Sequence, residues 1–296
     1  MKERECKMTN FEQRIADVRN DREHGSRWLV HETISILRDI AVQPGVSADE
    51  RLRQLRQAGA ELAHARPAMA ALAGAVGRIL SASDGVEGMA REAERLLKEY
   101  DTAIEHITRY ARSLLHGTLM TDSISGTVLD VFVSCKPQIE RIIVLEGRPR
   151  YEGRAMAKAL SGHGIAVTLI TDAQADIFLP QCDAVVVGAD SVLANGDVLN
   201  KAGTALLAWA AQGHRIPFYV LCETLKISPH TWSGDLAQLE EKEASEVLDA
   251  PIAGVKVRNF YFDHTPAHLV TKVITEQGVL SEEKIGGIAS SLKDVV

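Results

Sequence analysis

Four segments of this 296-residue chain each follow a short apolar, β-branched run and each put a carboxylate within three residues of its end. Glu146-Gly147-Arg148-Pro149-Arg150 follows residues 142–145, and Thr171-Asp172 follows 167–170. Gly188-Ala189-Asp190 follows 185–187, and Cys222-Glu223-Thr224-Leu225-Lys226 follows 219–221. Carboxyls at strand ends suit proton transfer, and Arg148, Arg150, Lys201 and Lys226 supply charge for an anion. Gly188 and Gly203 let backbone approach a ligand, and Gly203 precedes a predicted helix whose first amides suit phosphate. The stretch 188–204, GADSVLANGDVLNKAGT, therefore reads as the floor of a site for a phosphorylated ligand. Each residue alone also has a simpler reading. Asp172 and Asp190 fit as caps of the turns that follow them. Arg148-Pro149-Arg150 fits as a solvated loop, Lys201 as a surface lysine, and Asn195-Gly196 as a turn. The convergence of these groups at one rim carries the inference.

The elements that would hold such a rim are legible in the patterning. Up to about His116 the chain reads as helices. Apolar residues recur near a 3.6 period over 17–41, 47–63, 69–80 and 86–115. Ser47 followed by Glu50 has the spacing of a capping box. Beyond this point β-branched runs at 118–121, 141–145, 166–171, 184–187 and 218–222 alternate with helical stretches at 125–134, 153–163 and 203–212, the pattern of βαβ units. Runs such as IIVL and AVVVG suit strands buried on both faces. After Ser228 the pattern weakens. A short strand-like run at 260–262 precedes DHTPAHLVTKVITEQG, in which Pro266 fits the start of a final helix. The expected fold class is α/β, with a helical domain at 1–116 and a parallel-sheet domain at 117–296. In open parallel sheets ligands bind beyond the carboxyl ends of the strands, where the four carboxylates fall.

Composition narrows the function classes. The formal net charge of −7 argues against a protein that binds nucleic acid by broad phosphate neutralisation, while leaving room for a local basic pocket. No apolar run is long enough for a membrane span, and the polar N-terminus, MKERECKMTNFEQR, has no signal-peptide core. Cys6, Cys135, Cys182 and Cys222 form no CxxC pair, so neither a metal site nor another cofactor is expected. Isolated thiols without an export signal fit the reducing cytoplasm. Cys135, at the end of a predicted helix, would stand roughly 18 Å from Ser123, and Cys182 falls at the far end of its strand. Cys222 ends a strand four residues before Lys226. It is either a thiol at the rim or a small buried hydrophobe.

EGRPRYEGR (146–154), GADSVLANGDVLNKAGT (188–204), PFYVLCETLKISP (217–229) and FDHTPAHLVTKVITEQG (262–278) together resemble the family that joins ribose 1,5-bisphosphate isomerase, methylthioribose 1-phosphate isomerase and the alpha, beta and delta subunits of translation initiation factor 2B. The ETLK segment is more similar to the ribose-bisphosphate and initiation-factor branches. The resemblance implies a helical domain over a Rossmann-like domain, dimers or dimer-based hexamers, and a phosphorylated sugar or nucleotide as ligand. In the isomerases an aldose 1-phosphate becomes a ketose. By this resemblance Asp190 is the catalytic acid, Asn200 and Lys201 hold substrate, Lys226 contacts the far phosphate and Arg66 reaches in from the helical domain. His24-Gly25-Ser26 matches a phosphate loop that reads Arg-Gly-Ala in the isomerases, and a neutral histidine is a weaker phosphate partner. Ser125, Gly126, Thr127 and Arg148 complete the expected binding set. In Thr121-Asp122-Ser123-Ile124-Ser125 the isomerases carry a cysteine where Ser123 stands, and a serine hydroxyl is a far worse base than a thiol. Ser123 and Cys222 are thus the candidates beside Asp190 for catalysis. A binding protein without turnover, like the initiation-factor subunits, is the alternative.

Overall fold

The structure, a computed structural model, describes residues 2–21 and 25–292. Five helices come first: α1 (Lys2–Asn20), α2 (Ser26–Ala41), α3 (Ala48–Ala63), α4 (Ala70–Leu80) and α5 (Gly85–Ala111). The stretch 17–41, expected as one helical segment, is divided. α1 ends at Asn20, and α2 starts behind Gly25, whose backbone is extended (φ −78°, ψ 170°). Ser47 caps α3 as its spacing predicts, its Oγ accepting the N–H of Glu50 at 3.3 Å. The 27 residues of α5 run about 40 Å. Its Val86–Tyr100 portion is buried with α2, α3 and α4, whereas Ile107 and Ala111 join the core of the sheet. One long amphipathic helix therefore ties the helical part to the sheet.

The rest of the chain alternates: β1 (Gly117–Thr121), α6 (Gly126–Cys135), β2 (Ile139–Leu145), α7 (Glu152–Gly162), β3 (Val167–Ile170), α8 (Ala175–Phe178), β4 (Ala184–Val187), β5 (Ser191–Val192), β6 (Val198–Lys201), α9 (Thr204–His214), β7 (Phe218–Leu221), β8 (Phe262–Thr265), β9 (Lys272–Thr275), β10 (Gly278–Leu280) and α10 (Glu282–Leu292). Seven strands form one sheet in the order β10-β9-β7-β4-β1-β2-β3, parallel except for β10 at its edge. Side chains alternate between its faces, as the two-residue period of a strand requires. Met120, Ile143, Val185, Val187, Phe218 and Val220 pack with α9 and α10 on one face. Leu119, Ile142, Val144, Val186, Tyr219 and Leu221 pack with α5, α6 and α7 on the other.

The stretch 188–204 holds a feature that the sequence reading did not assign. β5 and β6 form a hairpin, turned at Asn195-Gly196, and β6 pairs antiparallel with β8 to make a second sheet of three strands. This hairpin meets the helical part directly. Ser191 Oγ donates to the carbonyl of Ala68 at 2.7 Å and accepts from the N–H of Ala70 at 3.0 Å. The final helix does not start at Pro266. Residues 262–265 and 272–275 are strands, and the last helix begins at Glu282. Pro266 is extended (ψ 140°), and Val270, Thr271, Val273, Ile274 and Thr275 are β-branched residues that fit a strand beside β7. Between β7 and β8, residues 229–261 carry short 3-10 turns and one isolated antiparallel bridge, Glu241 to Phe260.

α7 approaches β2 closely enough that a Cβ on Gly153 would lie 1.8 Å from the carbonyl oxygen of Leu145. Backbone cannot yield as a side chain can. Gly153→Ala is expected to lower the unfolding free energy by roughly 1–3 kcal/mol or more, measured by urea denaturation. An unchanged midpoint would contradict this packing.

Candidate functional site

A cavity of about 960 Å³ opens between the helical part and the carboxyl ends of β1 and β4. These two strands are neighbours, yet the chain leaves β1 toward β2 and leaves β4 toward β7, on opposite sides. Crossovers that diverge in this way leave a crevice at the strand ends, the usual ligand position in such sheets. The loop after β4 fits against the loop after β1 because residue 188 lacks a side chain. A Cβ there would stand 2.8 Å from Ser125 Oγ.

The floor is the stretch that the sequence picked out. Asp190, Asn200 and Lys201 all line the cavity. The N–H of Asp190 donates to the carbonyl of Leu199 at 3.0 Å, which turns the end of β4 back over β6. Asn200 Nδ2 donates to Thr204 Oγ1 at 2.9 Å, and Lys201 Nζ donates to Glu152 Oε1 at 2.6 Å.

One end of the cavity is built for an anion. The α2 N-terminus faces it through Gly25 and Ser26, with no side-chain cap and no acidic residue in the first turn. Its first amides therefore present partial positive charge. Lys226 Nζ, almost fully buried, donates to Ser26 Oγ at 3.1 Å and stands 3.7 Å from Glu223 Oε2. Ser125 and Gly126, at the start of α6, line the same cavity. Thr127 does not. Its hydroxyl donates to Glu223 Oε1 at 2.7 Å, so it supports the carboxylate beside Lys226 and takes no part in the lining. Arg66 does reach in from the helical part. It lies 3.6 Å from Glu240 and donates to the carbonyl of Asp21 at 3.2 Å. His24 lies outside the described residues.

A second cationic group stands around Tyr261. Lys201 Nζ lies 4.8 Å and Lys242 Nζ 5.6 Å from its ring centre, and Arg150 hydrogen-bonds to it. Tyr261 Oη donates to Glu246, a bond within the 229–261 excursion, and both residues line the cavity. Arg148, expected to bind substrate, does not line the cavity. Its guanidinium donates to Tyr151 Oη at 2.9 Å and to the carbonyl of Val247 at 3.2 Å, fixing the rim, while Arg150 two residues on takes the inward position. Asp172 caps no turn of its own. Its carboxylate accepts the N–H groups of Gly147 and Arg148, both at 2.8 Å, and so ties the loop after β2 to the end of β3.

The titratable groups of the floor are desolvated. Burial raises the Asp190 carboxyl above the usual range, against the pull of Lys226, Arg66 and Lys201. Asp122, next to Ser123, is pushed up to about 6 by burial, a shift opposed by its hydrogen bond from Thr204. Asp263 on β8 is pushed up to about 7 by burial, although it accepts the N–H groups of Gly203 and Ala205 at the start of α9. Ser123 lies between the two loops with φ +52°, a left-handed conformation that a serine adopts only under constraint. Cys222 is not at the rim. It shares its face with Val220 and Phe218, packs with the α9 layer, and burial pushes its thiol far up. A buried neutral thiol is no nucleophile or base. The sequence reading missed Asp122, Glu152, Lys242, Glu246, Tyr261 and Asp263. Asp122, Glu152 and Asp263 stood inside motifs already under scrutiny, whereas Lys242, Glu246 and Tyr261 did not. Among the described residues no cluster of His, Cys, Asp and Glu could hold a metal ion, and no helix is long and apolar enough to cross a membrane.

The folded state holds the Asp263 proton more tightly than the unfolded chain does. Its contribution to stability is therefore greatest at low pH and declines as pH rises through about 7. The thermal midpoint of the protein should fall relative to that of Asp263→Asn between pH 5 and 8. Parallel pH profiles of the two proteins would contradict the assignment.

Comparison with known proteins agrees with this geometry. A sequence profile of the initiation factor 2 subunit family matches residues 22–282. A ribose 1,5-bisphosphate isomerase of Archaeoglobus fulgidus is 35% identical over 249 residues, covering 80% of both chains. A methylthioribose-1-phosphate isomerase of Pelotomaculum thermopropionicum is 37% identical over 261 residues, covering 78% of this chain and 71% of the other. The crystal structure of the translation initiation factor eIF-2B of Pyrococcus horikoshii superposes with a TM-score of 0.80 at 29% identity, over 92% of this chain and 96% of the other.

Proposed function

Because the chain belongs to the initiation factor 2 subunit family, we propose that its cavity binds a phosphorylated sugar and converts an aldose 1-phosphate into a ketose, with ribose 1,5-bisphosphate as substrate. The observation that carries this is the desolvated Asp190 carboxyl, held in one cavity with two separate cationic groups. A bisphosphate has two anionic ends. Ser26 and Lys226 with the α2 N-terminus suit one of them, and Arg150, Lys201 and Lys242 suit the other. Methylthioribose 1-phosphate offers only one phosphate and would leave one group unused. Burial raises the Asp190 carboxyl, which favours its protonated form, and a protonated carboxyl can donate to the ring oxygen as the sugar opens. Asn200 and Lys201 orient the sugar above it. The protein acts in the cytoplasm as a homodimer or dimer-based hexamer, without a cofactor.

Incubation with ribose 1,5-bisphosphate, followed by NMR, should give the ketose. Binding without product would overturn the catalytic reading. Lys226→Ala should weaken sugar-bisphosphate binding roughly tenfold to a hundredfold, the worth of a charge-assisted hydrogen bond, read by calorimetric titration. An unchanged affinity would remove Lys226 from the anion site.

Ser123 favours a second reading, a sensor that binds sugar phosphates or nucleotides without converting them. In that case these ligands raise the thermal midpoint by mass action and no ketose forms. Turnover gained by Ser123→Cys alone would then identify the serine as the cause of silence.

A further inference from the structure

We propose that Asp122 is the second catalytic residue of this cavity: it removes the proton from C2 of the bound aldose 1-phosphate and returns it to C1, opposite Asp190. The inference rests on the isomerase reading and adds the group that Ser123 cannot supply.

Asp122 follows β1 directly and lines the cavity. Met120 at the end of β1 pairs with Val185 of β4, so the chain just beyond β1 and the chain that leads to Asp190 leave the sheet side by side, about 4.8 Å apart. Two carboxylates thus enter one crevice from adjacent strands. The Asp122 side chain is held in place. Its Oδ2 lies 2.6 Å from Thr204 Oγ1, which is itself fixed by Asn200 Nδ2 and by the carbonyl of Lys201 at 2.7 Å. The charged groups around Asp122 come from three further elements. Asp172 beyond β3 opposes its ionisation, Lys201 on β6 favours it, and the ionised Asp122 in turn raises Asp263 on β8. The balance with burial leaves Asp122 near 6, so it is mostly a carboxylate at neutral pH and yet able to carry a proton. Other candidates fail. The Ser123 hydroxyl is a poor base without a basic partner, and Cys222 faces the other side of the sheet in the α9 layer.

The chemistry closes without any other reactant. Asp190 gives its proton to the ring oxygen, which takes the electron pair of the breaking C1–O bond. Asp122 takes the C2 proton, and the pair left behind becomes the C1=C2 bond of an enol phosphate. The O2 proton then passes to Asp190 as C2=O forms, and the C1=C2 pair takes the proton from Asp122 at C1. Both carboxyls return to their starting states, and the sugar is an open ketose phosphate.

The test uses the full chain with ribose 1,5-bisphosphate. Asp122→Asn keeps an oxygen that can accept from Thr204, so fold and affinity should hold while kcat falls roughly a hundredfold or more, the usual worth of a general base. The acid limb of kcat/KM near pH 6 should vanish from the residual activity. Adding Ser123→Cys to Asp122→Asn should recover turnover. In deuterium oxide, exchange at the protonated Asp122 before its proton reaches C1 should leave a fraction of the wild-type ketose with solvent deuterium at C1. Thr204→Val keeps the Asp122 carboxyl and removes the bond that lowers its pKa, along with the contacts of that hydroxyl to Asn200 and the Lys201 carbonyl, so the acid limb should move to higher pH. A wild type that isomerises while Asp122→Asn keeps kcat within about threefold and its acid limb would overturn the role of Asp122 and leave the isomerase reading intact. A limb unmoved by Thr204→Val would do the same if Asp122→Asn does not fold. A wild type that binds without turnover would overturn both.

Discussion

Between β1 and β4 the chain parts in two directions, and the site depends on this divergence. Each strand is hydrogen-bonded to the other inside the sheet, but beyond Thr121 and Val187 neither crossover covers the gap. The gap is narrow because Gly188 has no side chain and the loop carrying Ser125 sits against it. Helix α5 then fixes the roof. It is anchored under the sheet at Ile107 and Ala111 and among α2, α3 and α4 along its earlier turns. That anchoring sets the N-terminus of α2 over the strand ends, with Ser26 within hydrogen-bonding distance of Lys226 on the opposite wall.

The electrostatics of the crevice run against the chain as a whole. The protein carries a net charge of −7, yet its cations gather at the two ends of the cavity, while the carboxyls of the floor are desolvated and shifted toward neutrality. The two effects cooperate. Raising the pKa of Asp122 and Asp190 lowers the negative charge of the crevice proposed to take a phosphate, and Asp122, at about 6, can exchange a proton near neutral pH. The buried pair Lys226–Glu223 costs desolvation. Thr127 and Ser26 offset part of it by hydrogen bonds to the two partners.

Much of this was legible before the fold was known, because it is written locally. The β-branched runs mark five strands of the parallel sheet, Ser47 marks a helix start, and GADSVLANGDVLNKAGT marks the floor. What failed was what depends on facing and on long-range pairing. Cys222 lies at the end of a strand, but its face is set by the two-residue period that also buries Val220 and Phe218 in the α9 layer. Arg148 and Arg150 are alike in sequence, and only the turn of the loop decides which points inward. Pro266 reads as a helix start, whereas the pairing of β8 with β6 and of β9 with β7 claims the segment for strands. Asp122 carried no local signal. Its raised pKa comes from burial and from Asp172, 50 positions away, against a hydrogen bond from Thr204, 82 positions away in the chain.

The account is tested most directly by a crystal structure of the protein with ribulose 1,5-bisphosphate, the ketose of the proposed reaction. One phosphate should lie on Ser26, Lys226 and the first amides of α2, the other on the group around Tyr261, and C1 and C2 should lie between Asp190 and Asp122. A ligand bound away from the β1–β4 crevice, or seated with its C1–C2 bond out of reach of Asp190, would contradict it.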